Sequence, residues 1–212
     1  MSEEAGLREE LVRMGGLLYT RQLAHGTAGN LSVKLEDGNI LVTPTNSSLG
    51  DLDADRISKL SPAGDLISGD KPSKEYFFHL AVFDERPAAR AVVHLHSTYS
   101  VAVSCLSHPQ ADDVIPPLTA YYVMRVGRLP LVPYFRPGDR ALADEVRKVS
   151  REHRSMLLAN HGPIVSAASL REAVYAYEEL EETAKLHLIL GDRPTSPLNA
   201  EQVADLNRAF PS

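Results

Sequence analysis

The chain has 212 residues, 43% hydrophobic and 24% charged, the balance of a globular protein able to bury a core rather than a disordered, fibrous or membrane chain. A formal net charge of −6 with scattered basic residues leaves no electrostatic footprint for nucleic acid, so an anionic ligand would have to be met by local groups. No stretch approaches the roughly 18 apolar residues of a membrane span, residues 1–10 are acidic without an apolar signal region, and the single Cys105 reads as a small core residue, so a cytoplasmic address is expected.

Leu7, Leu11, Met14 and Leu18 recur at helical spacing, predicting an amphipathic helix over about residues 2–23. After His25-Gly26-Thr27-Ala28-Gly29-Asn30, the alternating Leu31, Val33 and Leu35, the turn pair Asp37-Gly38 and the run of Ile40, Leu41 and Val42 predict a β-hairpin. Residues 43–48 read as loop, and short strands are expected at 57–60 and 65–67 around the turn Pro62-Ala63-Gly64. Residues 75–83 suit a helix stopped near Pro87, and 91–96 read as a buried strand holding two imidazoles. A helix is expected over 98–106, and a loop over 107–118, where three prolines fall. Residues 123–134 are ambiguous apart from a strand around Leu131 and Val132. A helix over 140–153 and a short strand over 156–159 lead into Asn160-His161-Gly162-Pro163, and Ser169 caps a long helix over 169–190. No repeat or low-complexity linker interrupts this order, so one α/β domain over residues 1–212, with a mixed or antiparallel sheet, is expected.

Residues two apart in a strand point to the same face, so His94 and His96 can present both rings to one tetrahedral metal ion. Two ordinary buried histidines would have the same pattern. Desolvating two imidazoles inside an apolar strand is costly without a partner, however, and a metal satisfies both. A third ligand must come from elsewhere, and His161 is the best candidate: it ends a short apolar strand and precedes Gly162, where the backbone can turn tightly. His25, His79, His108, His153 and His187 lack such company and read as solvated or structural. Jelly-roll barrels also use an H-x-H pair, but this chain has long helices and no following carboxylate. Glu75, taken alone, is an acidic residue at a helix start, favoured there by the helix dipole. Gly26 to Asn30 supplies flexible backbone amides of the kind that bind phosphate, with Lys74 as a nearby charge in sequence terms.

With His25-Gly26-Thr27-Ala28-Gly29-Asn30-Leu31-Ser32, Thr43-Pro44-Thr45, Ser73-Lys74-Glu75, His94-Leu95-His96 and Asn160-His161-Gly162 in this order, the sequence resembles the class II aldolase/adducin family from about Leu7 to Leu190. The resemblance implies a three-layer α/β/α sandwich around a mixed, largely antiparallel sheet, and a homotetramer with active sites at subunit interfaces. It also implies one Zn2+ per subunit on His94, His96 and His161. Glu75 would be the catalytic acid/base and would itself ligate the metal when no substrate is bound. Carried over residue by residue, the substrate phosphate would lie against Asn30, Thr45, Asn46, Ser73 and Lys74. Asn46 stands where aldolases often have Gly, and Lys74 where they have Ser. A tyrosine that assists the aldolases from a neighbouring subunit has two candidates here, Tyr121 and Tyr122.

Lys-Glu in place of Ser-Glu, the segment Pro116-Pro117-Leu118-Thr119-Ala120-Tyr121-Tyr122-Val123-Met124-Arg125 and the run from Glu178 to Lys185 resemble the decarboxylating members. The activity so implied is zinc-dependent conversion of 3-oxo-tetronate 4-phosphate to dihydroxyacetone phosphate and CO2 through a metal-bound enediolate. A fuculose-phosphate-type aldolase or a pentulose-phosphate epimerase is the neighbouring alternative. A non-catalytic adducin-like module is a third, set against the complete ligand set.

Overall fold

The computed structural model describes residues 2–108, 110–136 and 138–210. Helix α1 (Glu3–Thr20) starts at Ser2, whose hydroxyl accepts from the Ala5 amide, and buries Leu11, Met14 and Leu18. Strands β1 (Asn30–Lys34) and β2 (Ile40–Val42) form the expected hairpin, closed where Gly38 takes φ 85°. Then come β3 (Ser58–Leu60), β4 (Leu66–Ser68), α2 (Tyr76–Glu85), β5 (Ala91–His94) and α3 (Thr98–Ser104). The chain continues through α4 (Ala120–Arg125), β6 (Leu131–Val132), α5 (Ala141–Ser150), β7 (Ser155–Leu158), β8 (Gly162–Ala167), α6 (Leu170–Leu190) and α7 (Ala200–Ala209).

The strands make one sheet in the order β4-β3-β2-β1-β5-β8-β7-β6, antiparallel throughout except for the β6–β7 pair. Alternation along its central strands feeds two cores. Leu31, Val33, Ala91, Val93 and Val165 pack with buried residues of α1, α3, α4 and α6 on one face. Val92 and Ile164 pack with Phe78, Val82, Leu142 and Val146 of α2 and α5 on the other. The result is the α/β/α sandwich. Asn30, Ser32 and His94 share the period of the second face, and Asn30 stands directly opposite His94 in the register. Among the described residues, no helix is long and apolar enough to cross a membrane.

Several expectations need correction. Strand β5 ends at His94, so His96 lies just beyond it. Central strand β8 has no predicted counterpart, because Pro163 cannot donate to a ladder and argues against a strand. Pro163 is tolerated as the second residue of β8, where its carbonyl accepts from the His94 ring. Part of the ambiguous 123–134 stretch belongs to α4, capped by Thr119, and the unforeseen α7 begins with an Asn199–Gln202 capping box. Cys105 is exposed rather than in the core, because α3 stops at Ser104 and leaves it as the C-cap. Within the expected 107–118 loop, Pro109 lies outside the described residues, as do Pro137 and the tail residues Pro211 and Ser212.

Candidate metal centre

One strand end, two turns and one helix start deliver the candidate ligands. His94 is the last residue of β5, fully buried, with its ring edge against Phe78 at a centroid distance of 5.1 Å. His96 follows two residues later, where the chain turns into α3. That turn is clamped from α6: buried Glu181 accepts from the Ser97 hydroxyl at 2.7 Å, the Tyr99 amide at 2.8 Å, and the Ser100 amide and hydroxyl at 2.9 and 2.6 Å. Tyr177 of the same helix donates to the Leu95 carbonyl at 3.0 Å. His161 lies in the tight β7–β8 turn, made possible by Asn160 at φ 56°. Glu75 occupies the N-cap position of α2 but makes no capping hydrogen bond; its carboxylate turns toward the histidines instead.

Glycine on both flanks lets neighbouring strands close in on His94-Leu95-His96. A Cβ on Gly162 would stand 2.4 Å from the Leu95 carbonyl oxygen, and one on Gly29 would stand 2.9 Å from that of His94.

One ligand atom from each of Glu75, His94, His96 and His161 falls within 4.8 Å of all the others. His94 Nε2 is 3.1 Å from His96 Nε2 and 3.5 Å from Glu75 Oε2, while His161 Nε2 is 3.2 Å from Glu75 Oε1. Two atoms bound to one tetrahedral zinc at roughly 2.0–2.1 Å would lie about 3.3 Å apart, so the spacing suits a shared ion. Protonation gives a second test. His94 Nδ1 sits 2.9 Å from the Pro163 carbonyl, which can only accept, so the proton is on Nδ1 and Nε2 presents a lone pair. That lone pair faces a carboxylate oxygen, itself only an acceptor. Two acceptors aimed at one point need a cation between them, and the residues fit a divalent metal.

Electrostatics agree. Burial keeps His94 neutral, with its pKa well below the ordinary imidazole value, and lowers that of His96 to about 4. Burial would raise the Glu75 pKa, but the hydrogen bonds from His161 and the Asn30 N–H hold the carboxyl well below its usual range. His94 and His96 are therefore neutral imidazoles beside an ionised carboxylate. Glu75 and His161 keep 14% and 12% of their side-chain surface exposed, which marks the open side of the centre.

The residues expected to hold phosphate are arranged less tightly. Asn30 is buried and donates from Nδ2 to Glu75 Oε2 at 2.8 Å. The Ser73 amide bonds the Thr43 carbonyl, the Thr45 amide bonds the Lys71 carbonyl, and Pro44 bridges Pro72, so the Thr45-Asn46 and Ser73-Lys74 loops lie side by side. Asn46 takes φ 58°, and both Asn46 and Lys74 are exposed. The two tyrosine candidates separate: Tyr122 is 1% exposed inside the core, while Tyr121 is 60% exposed with Arg125 over its ring.

His79 is not solvated. It is fully buried on the site side of α2, hydrogen-bonded to Asn30 and Ser32. Its spacing of four residues from Glu75, with Asn30 and Ser32 two apart on a facing strand, is the signal that could have exposed it.

The sequence profile of the Class II Aldolase and Adducin N-terminal domain matches residues 9–188. The chain is 53% identical to the 3-oxo-tetronate 4-phosphate decarboxylase of Escherichia coli strain K12 over 203 residues, covering 96% of each chain. It is 34% identical to the L-fuculose phosphate aldolase of Escherichia coli O6:H1 over 205 residues, covering 95% of this chain and 89% of that one. The crystal structure of Escherichia coli YgbL superposes with a TM-score of 0.94 at 51% identity, covering 97% of this chain and 99% of that one. The three-layer fold, the ordered motifs and these likenesses agree: the chain belongs to the class II aldolase and adducin N-terminal domain family.

Proposed function

We propose that this chain is a zinc-dependent decarboxylase that converts 3-oxo-tetronate 4-phosphate to dihydroxyacetone phosphate and CO2. The observation that carries this reading is the closed set of Glu75, His94, His96 and His161, in a chain 53% identical to a decarboxylase of that substrate. The three histidines and, in the resting state, Glu75 would hold one zinc ion. When bound, zinc supplies a Lewis acid that draws electron density toward the substrate's ketone oxygen.

The reaction breaks the C1–C2 bond, sends its electron pair into a C2–C3 enediolate and leaves C2 to be protonated. Glu75 rests ionised, so it takes up a proton from water on the open side of the centre and delivers it to C2. The enediolate then collapses to the ketone of dihydroxyacetone phosphate, and each turnover consumes one proton. Asn30 orients the Glu75 carboxylate through its N–H. The substrate phosphate would be met by Asn30, Thr45, Asn46, Ser73 and Lys74, with Lys74 adding positive charge from the exposed loop. One domain spanning the chain, acting in the cytoplasm as a homotetramer with interface active sites, completes the proposal.

The L-fuculose phosphate aldolase likeness keeps one second reading in play, because aldol cleavage reaches an enediolate with an aldehyde as the other product. Incubation with candidate phosphorylated substrates separates the two. CO2 and dihydroxyacetone phosphate in equal amounts support the decarboxylase; aldehyde without CO2 refutes it.

A further inference from the structure

Behind Glu75 and Asn30 lie two further side chains, His79 and Ser32, that the proposed chemistry does not use. Asn30 and Ser32 leave the same face of β1, toward α2, and His79 lies one helical turn beyond Glu75. His79 Nε2 is 2.5 Å from Asn30 Oδ1, and His79 Nδ1 is 2.7 Å from Ser32 Oγ. Asn30 Nδ2 in turn reaches Glu75 Oε2 at 2.8 Å.

The polarity of the chain follows from its end. An ionised carboxylate can only accept, so Asn30 must turn its NH2 to Glu75 and its oxygen to His79. His79 Nε2 must then carry the proton, and its bare Nδ1 accepts from the Ser32 hydroxyl. His79 is 1% exposed and its ring lies nearly parallel to that of Phe78, at 15° and 4.9 Å. It cannot swing out to water. A lone Asn30 amide could flip; one gripped at its oxygen by a buried imidazole cannot.

We propose that His79 is a positioning residue for Glu75, acting through Asn30 to hold Oε2 and so to aim Oε1 toward His161 and the open side of the centre. This rests on Glu75 being the acid/base. His79 touches neither substrate nor metal in this scheme. Its removal would act on turnover more than on substrate affinity.

Histidine-selective 15N NMR of the full chain, with and without zinc, reads the tautomer directly. An Nε2-protonated His79 whose resonance shifts in Asn30→Ala is expected; an Nδ1-protonated ring overturns the proposal even if no His79 variant folds. Kinetics give the second arm. His79→Asn keeps a polar group near Nδ1 but cannot reach Asn30, so kcat should fall on the order of 10–100-fold with KM within about twofold. His79→Gln places an amide nitrogen near the Nε2 position and should restore most of the loss. In an Asn30→Ala background, His79→Asn should cost little more. A KM effect with unchanged kcat, no advantage of Gln over Asn, or additive losses would refute the role. The tautomer result stands whether the product is CO2 or an aldehyde, so failure here is distinct from failure of the decarboxylase reading.

Discussion

Gly162→Ala places one methyl group where the fold leaves no room for it. The added Cβ would meet the Leu95 carbonyl oxygen at 2.4 Å, more than half an ångström inside the 3.0 Å below which something must shift. The Leu95 carbonyl cannot retreat freely, because Tyr177 holds it at 3.0 Å and Glu181 clamps Ser97, Tyr99 and Ser100 just beyond. Either β8 moves, carrying with it His161 in the turn just before it, or the chain carrying His96 is displaced. Overpacking of this kind costs about 1–3 kcal/mol of stability. A ligand displaced by a fraction of an ångström should weaken zinc about 10–100-fold, the range seen when support for metal ligands is removed. Competition against a fluorescent zinc chelator measures the affinity, and a thermal melt of the metal-free protein measures the strain. Wild-type zinc affinity together with a wild-type melt would refute this account of how the centre is held.

Glu181→Ala leaves the Ser97 and Ser100 hydroxyls and the Tyr99 and Ser100 amides without their acceptor. A loss of about 3 kcal/mol in urea unfolding is expected, with weaker zinc binding through His96; a loss within experimental error would show that water replaces the clamp. Metal-free protein should also be acid-sensitive through His79, whose pKa burial lowers from 6.5 to about 3. The unfolded state binds the proton first, so this contribution is complete above pH 6.5 and is lost as pH falls toward 3. By about pH 4.5 the loss should amount to roughly 2–3 kcal/mol, read as a steeper pH dependence of stability in the wild type than in His79→Gln; equal slopes would contradict it.

The pairing of His94 with His96 was legible from period two alone, although β5 ends at His94 and the clamped turn, rather than the strand, orients His96. His161 followed from its position before Gly162, but strand β8 did not, since the Pro163 that argues against a strand is accommodated where its carbonyl orients His94. The role expected of Glu75 came from family motifs. Its missing cap bond and its contacts with His94 and His161 are tertiary facts that no local pattern carries. For His79 the two open readings were solvated or structural, and local pattern could not choose between them, because burial of a histidine on a helix depends on what the facing strand offers, here Asn30 and Ser32. Helix α7 escaped because its residues are exposed or half-buried, and only its capping box marks its start.

The central claim is that Glu75, His94, His96 and His161 form one metal-dependent catalytic centre. Zinc content and turnover, measured on the same preparations of wild type, His94→Ala and Glu75→Gln, test it most directly. The account predicts one zinc per subunit with full turnover in the wild type, neither in His94→Ala, and retained zinc with turnover reduced at least about 100-fold in Glu75→Gln. Undiminished turnover in metal-stripped wild type, or in zinc-loaded Glu75→Gln, would contradict it.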